Sequence, residues 1–110
     1  MDHVNKLARF FKAFGDATRL RLVGLLARQK AGSALCVGRL AHELDTTASN
    51  VSQHLRVLKD LGLVRKERRG YRIHYFLDED QLAAYRSGVQ EFLGVPFVGE
   101  SAVEDRAGDE

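Results

Sequence analysis

Ser49, Ser52, Gln53, Arg56 and Lys59 are spaced so that a helix through them gathers two hydroxyls, an amide and two cations on one side. Val51, Leu55 and Leu58 recur at i, i+4 and i+7 on the other side, the apolar stripe of an amphipathic helix. Asp60 is the one acid of the polar face, near its far end. Small hydroxyl and amide side chains can enter a groove and bond base edges or phosphates, whereas a merely solvated face is usually richer in Glu and Lys. The chemistry on offer is polar recognition of nucleic acid. Catalysis finds no support, because the chain shows no nucleophile–base grouping, no phosphate-cradling glycine loop and no metal cluster.

The neighbouring segments supply the means of positioning that face. Thr47 is suited to cap the helix that begins at Ala48, and Gly62 to end it. A shorter helix over Val37–Leu44 precedes it, with Val37, Leu40, Ala41 and Leu44 as buried positions. Asp45-Thr46-Thr47 joins the two, and Asp45 tolerates a left-handed conformation. This reads as a helix-turn-helix whose second helix enters DNA, with Thr47 at its start. His54 lies at the edge of the apolar stripe near Leu58 and Leu61, as a packed residue or a phosphate contact. From Leu63 to Leu77 the period changes. Ile73, Tyr75 and Leu77 alternate with Arg72, His74 and Phe76, and Gly70 sits where a hairpin would turn. Arg65, Lys66, Arg68, Arg69 and Arg72 crowd this hairpin, and Tyr71 follows the glycine. A cationic ribbon beside a reading helix is a wing, placed to grip phosphates or enter the minor groove. The plainer alternative is a charged, solvated hairpin.

Outside this motif, Val4, Leu7, Phe11 and Phe14 step 3, 4, 3, the seam of a helix that packs on another helix. Gly15 ends it and Asp16 caps the next, Ala17–Arg28, which buries Leu20, Leu22, Val23, Leu25 and Leu26. Gln29–Ala34 reads as a loop. Asp78 caps a last helix with Gln81 at capping-box spacing; Leu82, Tyr85, Val89 and Phe92 again step 3, 4, 3, and Pro96 marks its end. The winged motif needs neither terminal seam. Their economical use is a symmetric dimer through Leu7, Phe11, Phe14, Tyr85, Val89 and Phe92, which would also present two reading helices to a palindromic site. The alternative is that both seams fold back on their own domain. The expected fold is therefore mainly α (α+β), a dimeric winged helix-turn-helix of about five helices and a two-stranded wing.

At 110 residues the chain holds one domain, residues 1–96, and a short tail, 97–110, that is acidic and expected to be flexible. The formal charge of +2 conceals an asymmetry. The tail has five acids against Arg106, a net of −4, which leaves +6 on the rest. A basic body with an acidic tail suits a polyanion partner, here double-stranded DNA. No apolar run approaches the ~18 residues of a membrane span, and the first residues lack the order of a secretory signal. The single cysteine, Cys36, rules out an intrachain disulfide and agrees with a reducing cytoplasm.

In this order and spacing, FGDATRLRLVGLL, ALCVGRLAHEL, SNVSQHLRVLKDLGLV and RRGYRIHYFL resemble the ArsR/SmtB family of bacterial metal- and stress-responsive repressors, over roughly Lys12 to Leu93. The resemblance implies a homodimeric winged-helix protein that binds an inverted-repeat operator and blocks transcription until an inducer weakens binding. It places DNA contacts on Ser49, Ser52 and Gln53, with wing residues near Arg68–Arg72 assisting. The alternative is a winged helix used as a protein-interaction module, which would favour exposed aromatics over Arg and Lys.

The sensing chemistry departs from the family pattern. Many members hold a metal through two cysteines in an L-C-V-C-D-L run, and here Gly38 replaces the second thiolate after Cys36. Others bind zinc through the last helices, at positions that align with Glu79, Gln81, Phe92 and Val95. Glu79 alone could ligate, against the roughly four donors that zinc wants. No cofactor or metal is expected, and the inducer stays open. His42 and His74 read as surface and structural residues, and His3 with Asp2 is a minor alternative for a metal shared across a dimer. Cys36, at a helix start, is the candidate redox sensor, with an apolar plug as the simpler reading.

Overall fold

The computed structural model describes residues 3–29 and 35–94. Along the chain run α1 (His3–Phe14), α2 (Ala17–Arg28), α3 (Val37–Leu44), α4 (Ala48–Asp60), β1 (Val64–Arg69), β2 (Arg72–Leu77) and α5 (Glu79–Leu93). Most of the expected loop at 29–34, Pro96 and the acidic tail lie outside the described residues.

Three helices begin on a side chain that accepts a backbone amide three residues on. Asp16 takes the amide of Arg19, Thr47 that of Asn50, and Asp78 that of Gln81, each at 3.0 Å. Each satisfies a donor that the helix itself leaves unpaired. Asp45 ends α3 in the left-handed region, φ 54°. Gly62 ends α4 at φ 76°, with Gly62 N–H on the Lys59 carbonyl (2.8 Å) and Leu63 N–H on the Leu58 carbonyl (3.0 Å). These are the paired bonds of a Schellman end, and a Cβ at Gly62 would also press on Gln81 at 3.2 Å. Gly94, at φ 69°, closes α5 before Pro96 is reached. The expected capping box is only half made. Asp78 N–H bonds the Leu63 carbonyl (2.8 Å), and the Gln81 side chain reaches the Leu61 carbonyl (3.3 Å) instead.

Leu22, Leu40, Val51, Leu58 and Leu63 are fully excluded from water, so the core lies where α2, α3, α4 and the base of the hairpin converge. Leu20, expected in that core, is 50% exposed. Two residues before Leu22, it projects from nearly the opposite side of α2. The seam on α1 also differs from expectation: Leu7, Phe10 and Ala13 point inward and Phe11 outward. Phe10 stacks on Phe14 and on Tyr85 of α5, each at 4.7 Å between ring centres. Leu7 and Tyr85, assigned to a dimer seam, are therefore buried within the protomer; Phe14 and Val89 are half-buried, while Phe11 (51%) and Phe92 (59%) stay exposed.

The hairpin pairs in register from Val64 with Leu77 to Arg69 with Arg72. Gly70 and Tyr71 form its two-residue turn, and positive φ at Gly70 (65°) suits a type II′ turn. Tyr75 N–H bonds the Leu35 carbonyl at 2.9 Å, and the Gln29 side chain bonds the Tyr75 carbonyl at 3.1 Å, pinning the wing's base to the helices. The clean alternation expected along β2 is blurred. Only Leu77 is buried, and His74 and Phe76 are half-buried like Ile73 and Tyr75, because arginines lie across Phe76. Among the described residues no helix is long and apolar enough to cross a membrane.

Candidate nucleic-acid interface

Burial of Val51, Leu55 and Leu58 turns the opposite side of α4 to solvent. Ser49, Ser52, Gln53, Arg56 and Lys59 are all exposed there. Ser49, Ser52, Gln53 and Arg56 make no side-chain hydrogen bond to any described residue, so their donors and acceptors are open to a partner. Thr47 is committed to its cap, and Asn50 Nδ2 bonds Thr46 Oγ1 at 3.1 Å, which stiffens the turn between α3 and α4.

His54 differs from its neighbours. It is half-buried, and its Nδ1 lies 3.0 Å from Arg19 Nη1 on α2. Of the two roles open to it on the sequence, the packed one describes its surroundings.

The wing divides its cations between two faces, since directly paired residues share a side of the ribbon. Arg65, Glu67 and Arg69 share one face with Phe76, His74 and Arg72. Glu67 pairs with Arg65 (2.6 Å) and Arg69 (3.1 Å), and both guanidiniums lie over the Phe76 ring, 5.2 and 5.5 Å from its centre. Hydrogen bonds from Arg69 and then Arg65 hold the Glu67 carboxyl below its ordinary range. Lys66, Arg68 and Arg72 are exposed and form no ion pair with a described residue, and Tyr71 at the tip is 88% exposed. The cations available to phosphate without exchange of an internal partner are thus Lys66, Arg68 and Arg72.

Cys36 stands at the start of α3, half-buried, and its thiol makes no capping bond. Of the positions aligned with a zinc site, Glu79 and Phe92 are exposed and Gln81 is bonded to Leu61, while Val95 lies outside the described residues. His42 and His3 are exposed. The sequence reading passed over Glu67, although residues 65, 67 and 69 must share a strand face. It also passed over Arg19, and over the joint grip of Gln81 and Tyr85 on the Leu61 carbonyl (3.3 Å each), which ties α5 to the end of α4. Those contacts join distant segments and leave no local signal.

Comparison with known proteins gives the family. A family model described as "Bacterial regulatory protein, arsR family" matches residues 16–66, from the cap of α2 into the wing. The HTH-type transcriptional regulator Rv2034 of Mycobacterium tuberculosis is 37% identical over 102 residues, covering 93% of this chain and 92% of that protein. The chain belongs to the ArsR family. A Synechocystis sp. protein named transcriptional repressor SmtB homolog is 38% identical over 82 residues, 74% of this chain and 59% of that longer protein. The solution structure of a homodimeric winged helix-turn-helix DNA-binding domain of Mycobacterium bovis, a possible ArsR-family transcriptional regulator, superposes with a TM-score of 0.63. It is 28% identical, over 83% of this chain and 81% of that one. As an ArsR-family protein, the chain is a DNA-binding winged-helix transcriptional regulator, not an enzyme.

Proposed function

We propose that the protein is a homodimeric repressor that binds an inverted-repeat operator, with α4 in the major groove and the wing on flanking phosphates. The observation that carries this reading is the exposed set Ser49, Ser52, Gln53 and Arg56, whose side chains bond no described residue, together with the wing cations Arg68 and Arg72, which pair with none of the described acids. Serine, glutamine and arginine at one turn's spacing suit base edges, while the wing supplies position without sequence.

The dimer is supported at the other end of the protomer. Val4, Phe11, Phe92 and Leu93 are each at least half exposed, and a groove of about 540 Å³ lies between α1 and α5, lined by Lys6, Leu7, Gln81, Tyr85, Gly88 and Phe92. A second copy that covers these residues would remove apolar surface from water and set two α4 helices about a two-fold axis.

The family's two familiar metal sites are proposed to be lost, with Gly38 in place of a thiolate and Phe92 in place of a histidine. Cys36 is then the side chain best placed to sense an oxidant or sulfur species, by forming a sulfenate, a persulfide or an interchain disulfide. The protein would act in the reducing cytoplasm.

Genomic fragments recovered with the protein should share an inverted repeat. On that cognate duplex Gln53→Ala should cost about 1–3 kcal/mol, with random duplex nearly unaffected. Equal losses on both would confine the α4 face to phosphate. Stoichiometric zinc added to reduced protein should leave operator affinity within about threefold, under ~1 kcal/mol of coupling; zinc that binds tightly and releases DNA contradicts the loss of both sites.

A further inference from the structure

One guanidinium joins three helices behind the reading face. Arg19 Nε donates to the Ala13 carbonyl at 2.7 Å and Nη2 to the Lys12 carbonyl at 3.4 Å, both in the last turn of α1. Its backbone amide bonds the Asp16 cap of α2 at 3.0 Å. Its Nη1 meets His54 Nδ1 of α4 at 3.0 Å.

A guanidinium has donors only, so this last contact requires a bare lone pair on Nδ1. A neutral imidazole with Nδ1 bare carries its proton on Nε2. The competing partner is Asp16 Oδ1, 3.8 Å from the same nitrogen, which would pair with a charged imidazole. The contact to Arg19 is the shorter of the two, and the geometry of that contact is the one the bare Nδ1 serves.

We infer that His54 is a positioning residue: its neutral imidazole, held by Arg19, fixes the rotation of α4 against α1 and α2 so that Ser52 and Gln53 meet the base edges. Along its middle α4 is otherwise held by apolar contact through Val51, Leu55 and Leu58, which is non-directional. The hydrogen bonds of Asn50 to Thr46 and of Gln81 and Tyr85 to the Leu61 carbonyl lie at its two ends. A hydrogen bond adds an angular preference that apolar contact lacks. His54 directly follows Gln53 in the chain, so a roll of α4 that breaks the bond to Arg19 also swings Gln53 out of register. The inference rests on the proposed reading of DNA by α4.

The test begins with 15N-edited imidazole NMR of the free wild-type protein at neutral pH. The expected spectrum shows His54 protonated at Nε2 only, with Nδ1 accepting, and a shift toward mixed tautomers in Arg19→Ala. On the recovered cognate duplex, His54→Ala and Arg19→Ala should each lose about tenfold in affinity while random duplex changes by less than about threefold. His54→Gln, whose amide oxygen can accept from Arg19, should stay within about threefold of wild type on both. A wild-type His54 protonated at Nδ1 overturns the inference, as does a His54→Gln variant that reads DNA as poorly as His54→Ala. If the alanine variants do not fold, the wild-type tautomer and His54→Gln decide the matter by themselves. A wild-type protein without sequence preference would refute the proposed DNA reading, while the tautomer, measured without DNA, separately decides whether the tie exists.

Discussion

α4 and the α1–α5 pair are both amphipathic, yet they meet solvent in opposite ways. α4 buries its whole apolar stripe inside the protomer and turns hydroxyl, amide and cationic groups outward. α1 and α5 bury Leu7, Phe10, Ala13 and Tyr85 against one another and the core, and still leave Val4, Phe11, Phe92 and Leu93 in water. The α4 surface is complete in a single chain and can meet a hydrated polyanion by exchanging water for phosphates and base edges. The α1–α5 surface holds apolar area that costs about 25 cal/mol per Å² while it is wet. A second copy relieves that cost. Under the proposed reading, the α4 surface takes DNA and the α1–α5 surface takes the second copy.

The largest effect should come from charging the apolar end. Phe92→Asp is expected to weaken the dimer by several kcal/mol, because a carboxylate would enter an apolar interface without a partner. Sedimentation equilibrium reads this directly. A wild-type protein that is already a stable monomer would break the comparison before any substitution is made.

A smaller effect sharpens the other end. The wing cations should act mainly through phosphates, so Arg68→Ala, Arg69→Ala and Arg72→Ala together should weaken binding to all sequences. The slope of log affinity against log salt should flatten by about 0.9 per lost contact, or about 1.8 from Arg68 and Arg72. Arg69→Ala alone should flatten it less, since Glu67 already holds that guanidinium. A slope that the triple variant leaves unchanged would reduce the wing to a solvated hairpin.

The smallest effect concerns the cap that supports Arg19. The bond from the Arg19 amide, its largest cause, holds the Asp16 carboxyl below the ordinary aspartate range. A depressed folded pKa contributes stability above the unfolded value and loses it as pH falls through the folded one. Asp16→Asn keeps a capping oxygen without the titration, so its thermal midpoint should fall less steeply than wild type below about pH 4. Parallel midpoints across that range would separate the cap from the acid response.

What could be read from the sequence follows from how local its causes are. Most helix bounds were legible because starts and stops are set within about four residues, as at Thr47 with Asn50 and at Gly62 with Lys59 and Leu58; the end of α5 was misread, since Gly94 closes it ahead of Pro96. The hairpin turn was legible because Gly70 is both the break in pattern and the residue with positive φ. The rotation of α1 was not. Phe10 and Phe11 are adjacent and equally apolar, and stacking on Tyr85, 75 residues later in the chain, decides which one points inward. The candidate site divides the same way. The outward set on α4 follows from its own period, whereas the role of His54 depends on Arg19, 35 residues away; the hold of Glu67 on Arg69, two residues apart on one strand face, was local and was passed over.

The central claim, that α4 and the wing meet DNA while α1 and α5 meet a second copy, is tested most directly by titrating 15N-labelled protein with a recovered operator duplex. Amide shifts should concentrate at residues 47–56 and 66–72, leaving Val4, Phe11 and Phe92 nearly unmoved. Perturbation centred on α1 and α5, with Ser49, Ser52 and Gln53 silent, would contradict the assignment of the two surfaces.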